Sequence, residues 1–411
     1  MQWINALSKR PSLEAAVDEV VVQVQTSLDQ PGDLAFVFIS NSFASEYPRL
    51  MPLLRERLQI PYLIGCGGGG VIGQKQGNSP QEVELDPAIA LTVASLPGVK
   101  IQSFHVQAEQ LPDLDSGPDA WIRLMGVDPA EQPQFIILAD ALSARITDFL
   151  QGLDYAYPDA VKVGGVTIGA SPVGGSGLFQ NYRLYRDGII GVAVSGNISI
   201  EAIVTQGCRP VGRPLRVTEA QKHVLLQVED HDSPEQSPSL STQTALEALH
   251  QALETLSEPE REMAQQALSI GIMQNAFKMQ VEAGDFLIRN LIGVDPRIGA
   301  LAVGDRIRVG QRVQFHLRDA QASALDLKKY LSRSQEQSGT QNPPMGALLF
   351  DCLGRGEGFY GLPNFDTDIF RQYYGETPIS GFFCQGEIGP IGGETFLHGY
   401  TAVFALFRSR D

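Results

Sequence analysis

The sequence predicts an α/β (mixed α+β) protein of two domains built from duplicated strand–helix–strand–glycine-turn–strand units. Three observations carry this. The 411 residues are too many for one ordinary core. The 42 glycines and 25 prolines demand many turns, and therefore many strands. A short pattern, an apolar run, a helix-like stretch and a second apolar run ending in glycine, returns three times.

Ahead of the first copy, residues 12–28 are expected to form a helix, with Leu13, Val17, Val20, Val21, Val24 and Leu28 on one stripe behind Ser12 as N-cap. A buried strand is expected at 34–40, a helix interrupted by Pro48 and Pro52 at 44–58, and a strand at 62–64 that ends in GCGGGG, 65–70. The second copy has a strand at 135–140, a helix at 141–150 and a strand at 161–163 ending at Gly164 and Gly165. The third has a strand at 347–352, a helix at 366–374 and an approach through Ile379 to Gly381. The spacings Phe36–Gly65, Ile136–Gly165 and Leu349–Gly381 are 29, 29 and 32 residues. Each copy closes on another strand, at 90–94, 189–194 and 401–407, which reads as internal duplication.

The domain boundary is expected at 211–214, giving domains 1–212 and 213–411. Beyond it the pattern predicts paired strands at 215–217 and 224–228, a surface loop at 229–239, and a helix at 242–256 capped by Ser241 or Thr242. Strands follow at 268–274, 286–292 and 313–317, then a short helix at 324–331. Residues 332–344 lack an apolar anchor and are expected to be mobile.

A formal charge of −16 repels nucleic acid and anionic lipid, so neither is an expected partner. Cys66, Cys208, Cys352 and Cys384 lie far apart with no C-x-x-C pair, which argues for a reducing compartment. With no signal-peptide core and no apolar run near the roughly 18 residues of a membrane span, the chain reads as cytoplasmic. No cofactor or metal is expected: Cys352, Cys384 and His398 have no close ligand pair.

The chemistry concentrates near the C-terminus, in GFFCQGEIGPIGGETFLHGYTAVFALF from Gly381 to Phe407. Closely spaced glycines let backbone approach other groups, so Glu387 and His398 are expected to share a water-accessible hollow that holds a small polar molecule. Arg355, carried by glycines to the end of the 347–352 strand, is expected either to face Glu387 across a zwitterion or to pair with it and fix the loops. Cys384 with His398 has the makings of a nucleophile pair, but no orienting acid is evident, and small buried cysteines are usually core. The formal G-x-G-x-x-G at Gly65, Gly67 and Gly70 lacks a following helix and reads as a turn between strands.

ALLFDCLGRG, GFFCQGEIGPIGG and FLHGYTAVFALF together resemble the C-terminal half of the FIST (F-box and intracellular signal transduction) family. LAFVFIS, LIGCGGGGVIG and VKVGGVTIGA are similar to its N-terminal domain, so the resemblance covers nearly the whole chain. It implies a stand-alone, bacterial or cyanobacterial-type sensory module in intracellular signal transduction, without a fused F-box or output domain. The implied ligand is an amino acid or similar small polar metabolite, and the implied output is a signalling protein partner. On the motif match, the candidate ligand-binding residues are Cys352, Arg355, Gly381, Cys384, Gly386, Glu387, His398 and Tyr400. Two other readings stand beside this one: an enzyme using Cys384 or the Glu387–His398 pair, and a protein-interaction scaffold.

Overall fold

Three six-stranded sheets in the computed structural model share one plan, and each is completed by a hairpin from a different repeat. Residues 1–75, 77–142, 145–168, 176–230, 242–274, 283–338 and 342–410 are described. By packing they form two compact units, residues 1–204 with 327–411, and residues 205–326.

The first unit holds the three repeats. Repeat one runs through strand Gln2–Ser8, helix Leu13–Ser27, strand Leu34–Ser40, helix Tyr47–Arg57, strand Tyr62–Gly68, the short strands Val71–Gly73 and Gln81–Val83, and strand Ile89–Ser95. Repeat two follows the same order: Val99–Val106, helix Pro118–Met125, Gln134–Ala139, helix Ile146–Ala156, Lys162–Val166, Leu178–Gln180 with Arg183–Tyr185, and Ile189–Gly196. Repeat three has Ser199–Thr205, helix Ala320–Ser338, Gly346–Cys352, helix Phe365–Tyr374, Ile379–Cys384, Gly386–Ile391 with Glu394–His398, and Ala402–Arg408. The duplication expected from the sequence is present. Each copy also begins with an antiparallel strand that the sequence pattern did not reveal.

In every sheet the two central strands are parallel neighbours, and the closing strand pairs antiparallel beside them. The hairpins are exchanged cyclically. Leu178–Gln180 of repeat two pairs with Tyr62–Gly68, Gly386–Ile391 of repeat three with Lys162–Val166, and Val71–Gly73 of repeat one with Ile379–Cys384. Inward-facing residues of all three sheets (Phe36 and Phe38, Ile136 and Leu138, Leu348 and Phe350) meet in one apolar core. The outer faces are covered by each repeat's own helices.

Register makes the repeats superimposable residue by residue. Gly65 faces Val37, Gly164 faces Ile137 and Gly381 faces Leu349. A Cβ on these glycines would lie 1.9, 1.8 and 1.8 Å from the facing carbonyl oxygen. This steric demand explains the glycine at the end of each unit. Gly381 therefore has a packing role in its strand pair, where a close approach to ligand was expected.

The second unit is built on antiparallel strands in the order Cys208–Gln221, Arg312–Arg318, Leu268–Met273, Phe286–Asp295, Ala300–Val303 and Val224–Asp230. Val224–Asp230 pairs back onto Cys208–Gln221, which closes the sheet into a barrel. Helices Ala245–Glu254 and Glu258–Ala267 pack on its core through Ala248, Leu249, Ala252 and Ala264. The expected cut between residues 212 and 213 falls inside the strand Cys208–Gln221.

Other local expectations shift. The cap of the first barrel helix is Thr244, in a capping box with Glu247, rather than Ser241 or Thr242. Residues 332–338, expected to be mobile, continue the helix Ala320–Ser338, with Ser334 hydrogen-bonded to Glu201 and Tyr374. Pro48 and Pro52 are accommodated in helix Tyr47–Arg57. Most of the 229–239 loop lies outside the described residues.

Candidate functional site

The C-terminal ends of the parallel strands Gly346–Cys352 and Ile379–Cys384 carry two polar clusters on opposite faces of the third sheet. Successive strand residues point to opposite faces, so Asp351 faces the helix layer, and Cys352 and Cys384 face the shared core.

The inward cluster centres on Glu387, which is completely buried. Its strand pairs with Gly165, so its counterparts in the other repeats are Leu178, opposite Cys66, and Val71, opposite Phe382. Both counterparts are fully buried apolar residues of the common core. Repeat three thus places a carboxyl where the other two place hydrocarbon. Burial pushes the Glu387 carboxyl up to about 8, offset in part by hydrogen bonds from the Thr401 N–H and the two thiols. Thr401 N–H donates to Oε2 at 3.1 Å, and the Cys384 thiol lies 3.5 Å from Oε1 and 3.1 Å from the Asp351 carbonyl.

Cys352 Sγ accepts the N–H groups of Gly354 and Tyr400 at 3.5 and 3.3 Å. Even so, burial and the neighbouring Glu387 push its thiol up to about 12, and burial drives Cys384 well above the ordinary thiol range. Neither sulfur is poised as a thiolate nucleophile. His398 is the direct cross-strand partner of Glu387. Its Nε2 donates to the Gly389 carbonyl at 3.0 Å, and its side chain is buried. Tyr400 takes a left-handed conformation, φ +60°, and so turns the Thr401 N–H onto Glu387. Gly386 packs where a Cβ would meet Leu397 at 2.8 Å.

The outward cluster holds Arg355. Its Nε and Nη2 donate to Asp366 at 2.8 and 2.9 Å, and Nε lies 3.1 Å from Asp351. All three residues are buried, and Tyr360 donates to Asp366 at 3.0 Å. Glu82, from the hairpin of repeat one, joins by accepting the Thr367 N–H at 2.7 Å. Burial and the Asp366 charge push Glu82 up to about 8, and burial drives Asp351 well above the carboxylate range. Two carboxyls, Asp351 and Asp366, contact one guanidinium here, and Glu82 joins through the Asp366 helix.

Cys352, Cys384, Glu387 and the Tyr400–Thr401 turn therefore come together, with His398 beside them. Arg355 is bound instead to Asp366 and Asp351, so the expected Arg355–Glu387 facing pair does not form. Glu387 and His398 are both buried, and neither lines the four cavities of about 270 to 350 Å³ bounded by described residues elsewhere. Sequence reasoning missed Glu82, Asp351 and Asp366. It also missed Lys162, a buried ammonium 2.7 Å from Asp154, at a place where repeats one and three have Leu63 and Ile379. Superimposing the repeats exposes Lys162, Asp351 and Glu387 as polar residues at apolar positions. Among the described residues, no His, Cys, Asp and Glu group is arranged to hold a metal, and no helix is long and apolar enough to cross a membrane.

The chain is a triplicated α/β unit with a barrel unit inserted within its third repeat. The FIST N domain matches residues 33–231 and the FIST C domain residues 245–390, so the chain belongs to the FIST family. FIST domains are signal-transduction sensory domains. An uncharacterized protein of Mycobacterium tuberculosis strain H37Rv is 31% identical over 403 residues, covering 98% of each chain. An F-box/LRR-repeat protein of Arabidopsis thaliana is 24% identical over 461 residues, covering 98% of this chain and 85% of that one. Human F-box only protein 22 is 31% identical over 75 residues, 14% of this chain and 19% of that one. A crystal structure of cyanuric acid hydrolase from A. caulinodans aligns over 98% of this chain and 99% of that one with a TM-score of 0.35 and 10% identity, too loose to inform fold or chemistry.

Proposed function

We propose that the first unit is an intracellular receptor for a small polar metabolite, an amino acid or similar zwitterion, and that it passes the signal to a protein partner in the cytoplasm. The observation that carries this reading is Glu387. A carboxyl at a core position that is Val71 in one repeat and Leu178 in another costs folding free energy, and a retained cost of that kind marks a site used for something else. A ligand ammonium takes the place of the Thr401 N–H on Oε2. Displacing the Tyr400–Thr401 turn both opens the site and changes the surface that a partner reads. Arg355, held by two acids, keeps the strand end rigid beneath that turn.

Thermal unfolding in the presence of each of the twenty amino acids tests this. A ligand at about 100-fold its Kd stabilises the fold by roughly 2.7 kcal/mol, and Glu387→Gln abolishes the shift. A shift that persists in Glu387→Gln rejects this site.

A further inference from the structure

A cavity of about 330 Å³ in the first unit brings three cations to one acid. Lys9 and Arg10 reach it from the turn after strand Gln2–Ser8, and Glu19 from helix Leu13–Ser27. Lys75, Asn78 and Ser79 come from the segment that joins strands Val71–Gly73 and Gln81–Val83 of the exchanged hairpin. The charged heads converge on the cavity wall: Arg10 Nε lies 3.4 Å from Glu19 Oε2, and Lys75 Nζ 3.5 Å from Glu19 Oε1. Ser8 donates to the same Oε2 at 2.7 Å and holds the carboxylate in place. The Arg10 and Lys75 side chains remain 66% and 52% exposed, so both have surface to offer a ligand. Ser79 Oγ accepts from Arg371 at 2.7 Å, which brings a further guanidinium, itself paired with Glu376, to the rim. Three cations against one acid leave the wall with two positive charges in excess, in a chain whose formal charge is −16. Such a patch inverts the sign of the surrounding field and concentrates anions locally.

We propose that this cavity binds a small organic phosphate, a phosphate monoester that also carries hydroxyl groups. The phosphoryl oxygens accept from the Arg10 guanidinium, whose fork matches their geometry, and from the Lys9 and Lys75 ammonium groups. The fixed Glu19 carboxylate can only accept, so it calls for a donor beside the anion, and a ligand hydroxyl supplies one. The Asn78 amide can serve the same hydroxyls as donor or acceptor. At about 30 Å³ per water, the volume suits a ligand of roughly ten non-hydrogen atoms. The cations belong to two parts of the fold, the body of repeat one and its exchanged hairpin, whose strand Val71–Gly73 lies in the sheet of repeat three. A bound dianion therefore ties that hairpin back to its own repeat.

Titration calorimetry of the full-length protein in low salt at pH 7.5, with glycerol 3-phosphate as the probe, tests this. One-site, saturable binding is expected, with inorganic phosphate weaker and glycerol silent. Arg10→Gln and Lys75→Gln change exposed side chains and leave the fold intact, and each is expected to weaken glycerol 3-phosphate at least fivefold. Lys328→Gln makes the same change of charge on an exposed face of helix Ala320–Ser338 and is expected to have no effect. Glu19→Gln removes the carboxylate that competes for the two cations, so inorganic phosphate is expected to bind it at least threefold more tightly. Binding is unchanged in Glu387→Gln, which separates this site from the one proposed above. Absence of binding at 10 mM glycerol 3-phosphate overturns the proposal, as does binding that Arg10→Gln and Lys75→Gln leave intact or that Lys328→Gln weakens equally. Inorganic phosphate binding as tightly as glycerol 3-phosphate overturns the hydroxyl-bearing ligand.

Discussion

Glu387 and Val71 occupy the same place in different repeats, each on the first strand of an exchanged hairpin and each fully buried. One position is hydrocarbon serving the core. The other is a carboxyl held by Thr401 and two thiols. The pair shows that the threefold scaffold holds a buried carboxyl at one of three equivalent positions.

Protonation of the buried acids fixes the direction of pH dependence. Glu387 and Glu82 are both raised from 4.5 to about 8, so between those values the folded state binds protons that the unfolded state releases. Stability is therefore greatest at the acidic end of this window and falls as pH rises through it, by about 1.4 kcal/mol per pH unit for each proton. Urea titrations from pH 5 to pH 8 check this. Glu387→Gln and Glu82→Gln are each expected to remove about one proton from the slope and to leave stability near pH 5 almost unchanged.

Gly381→Ala puts a methyl group 1.8 Å from the Leu349 carbonyl oxygen and forces two parallel strands apart. A loss above about 4 kcal/mol, or failure to fold, is expected. Gly392→Ala, at φ +61° with open space around it, is expected to cost only about 1 kcal/mol. Denaturant midpoints of the two variants compare a steric requirement with a conformational one.

Asp154→Ala leaves the Lys162 ammonium buried without its carboxylate, and also removes the acceptor for Thr395 N–H and Oγ1 at 2.6 and 2.8 Å. A destabilisation of about 3–5 kcal/mol is expected. Lys162→Met, which restores an apolar residue where the other repeats have Leu63 and Ile379, is expected to fold normally. Calorimetric melting of both variants shows whether the ion pair is needed or merely tolerated.

All four cysteines are buried and none is in a disulfide, and the Cys66, Cys352 and Cys384 thiols are raised by burial. Native protein at pH 7 is expected to give almost no reaction with Ellman's reagent, and four equivalents after unfolding in denaturant. Rapid labelling of Cys384 in the native state points instead to a nucleophilic enzyme.

Much of the scaffold was legible because buried parallel strands are continuous apolar runs: Leu34–Ser40 and Gly346–Cys352 stand out at once. The first strand, Gln2–Ser8, was not, since Asn5 and Ser8 interrupt its pattern. The three-residue hairpin strands carry too little signal to show which sheet they join. A barrel inserted between Ser199–Thr205 and Gly346–Cys352 reads, along the chain, as the start of a second domain. At the candidate site, Glu387 was visible as an isolated acid among glycines. The Glu82–Thr367 bond spans 285 positions, and no local pattern encodes such a partnership.

The exchanged hairpins also set an order of assembly. Val71–Gly73 leaves the ribosome early, yet the strand it must join, Ile379–Cys384, is made roughly 300 residues later. Until then the nascent chain carries an unmatched β-edge, and of the three sheets only the first, completed by Leu178–Gln180 of repeat two, can close. Fragments ending before Ile379 should therefore bind chaperones or aggregate rather than form autonomous thirds of the protein.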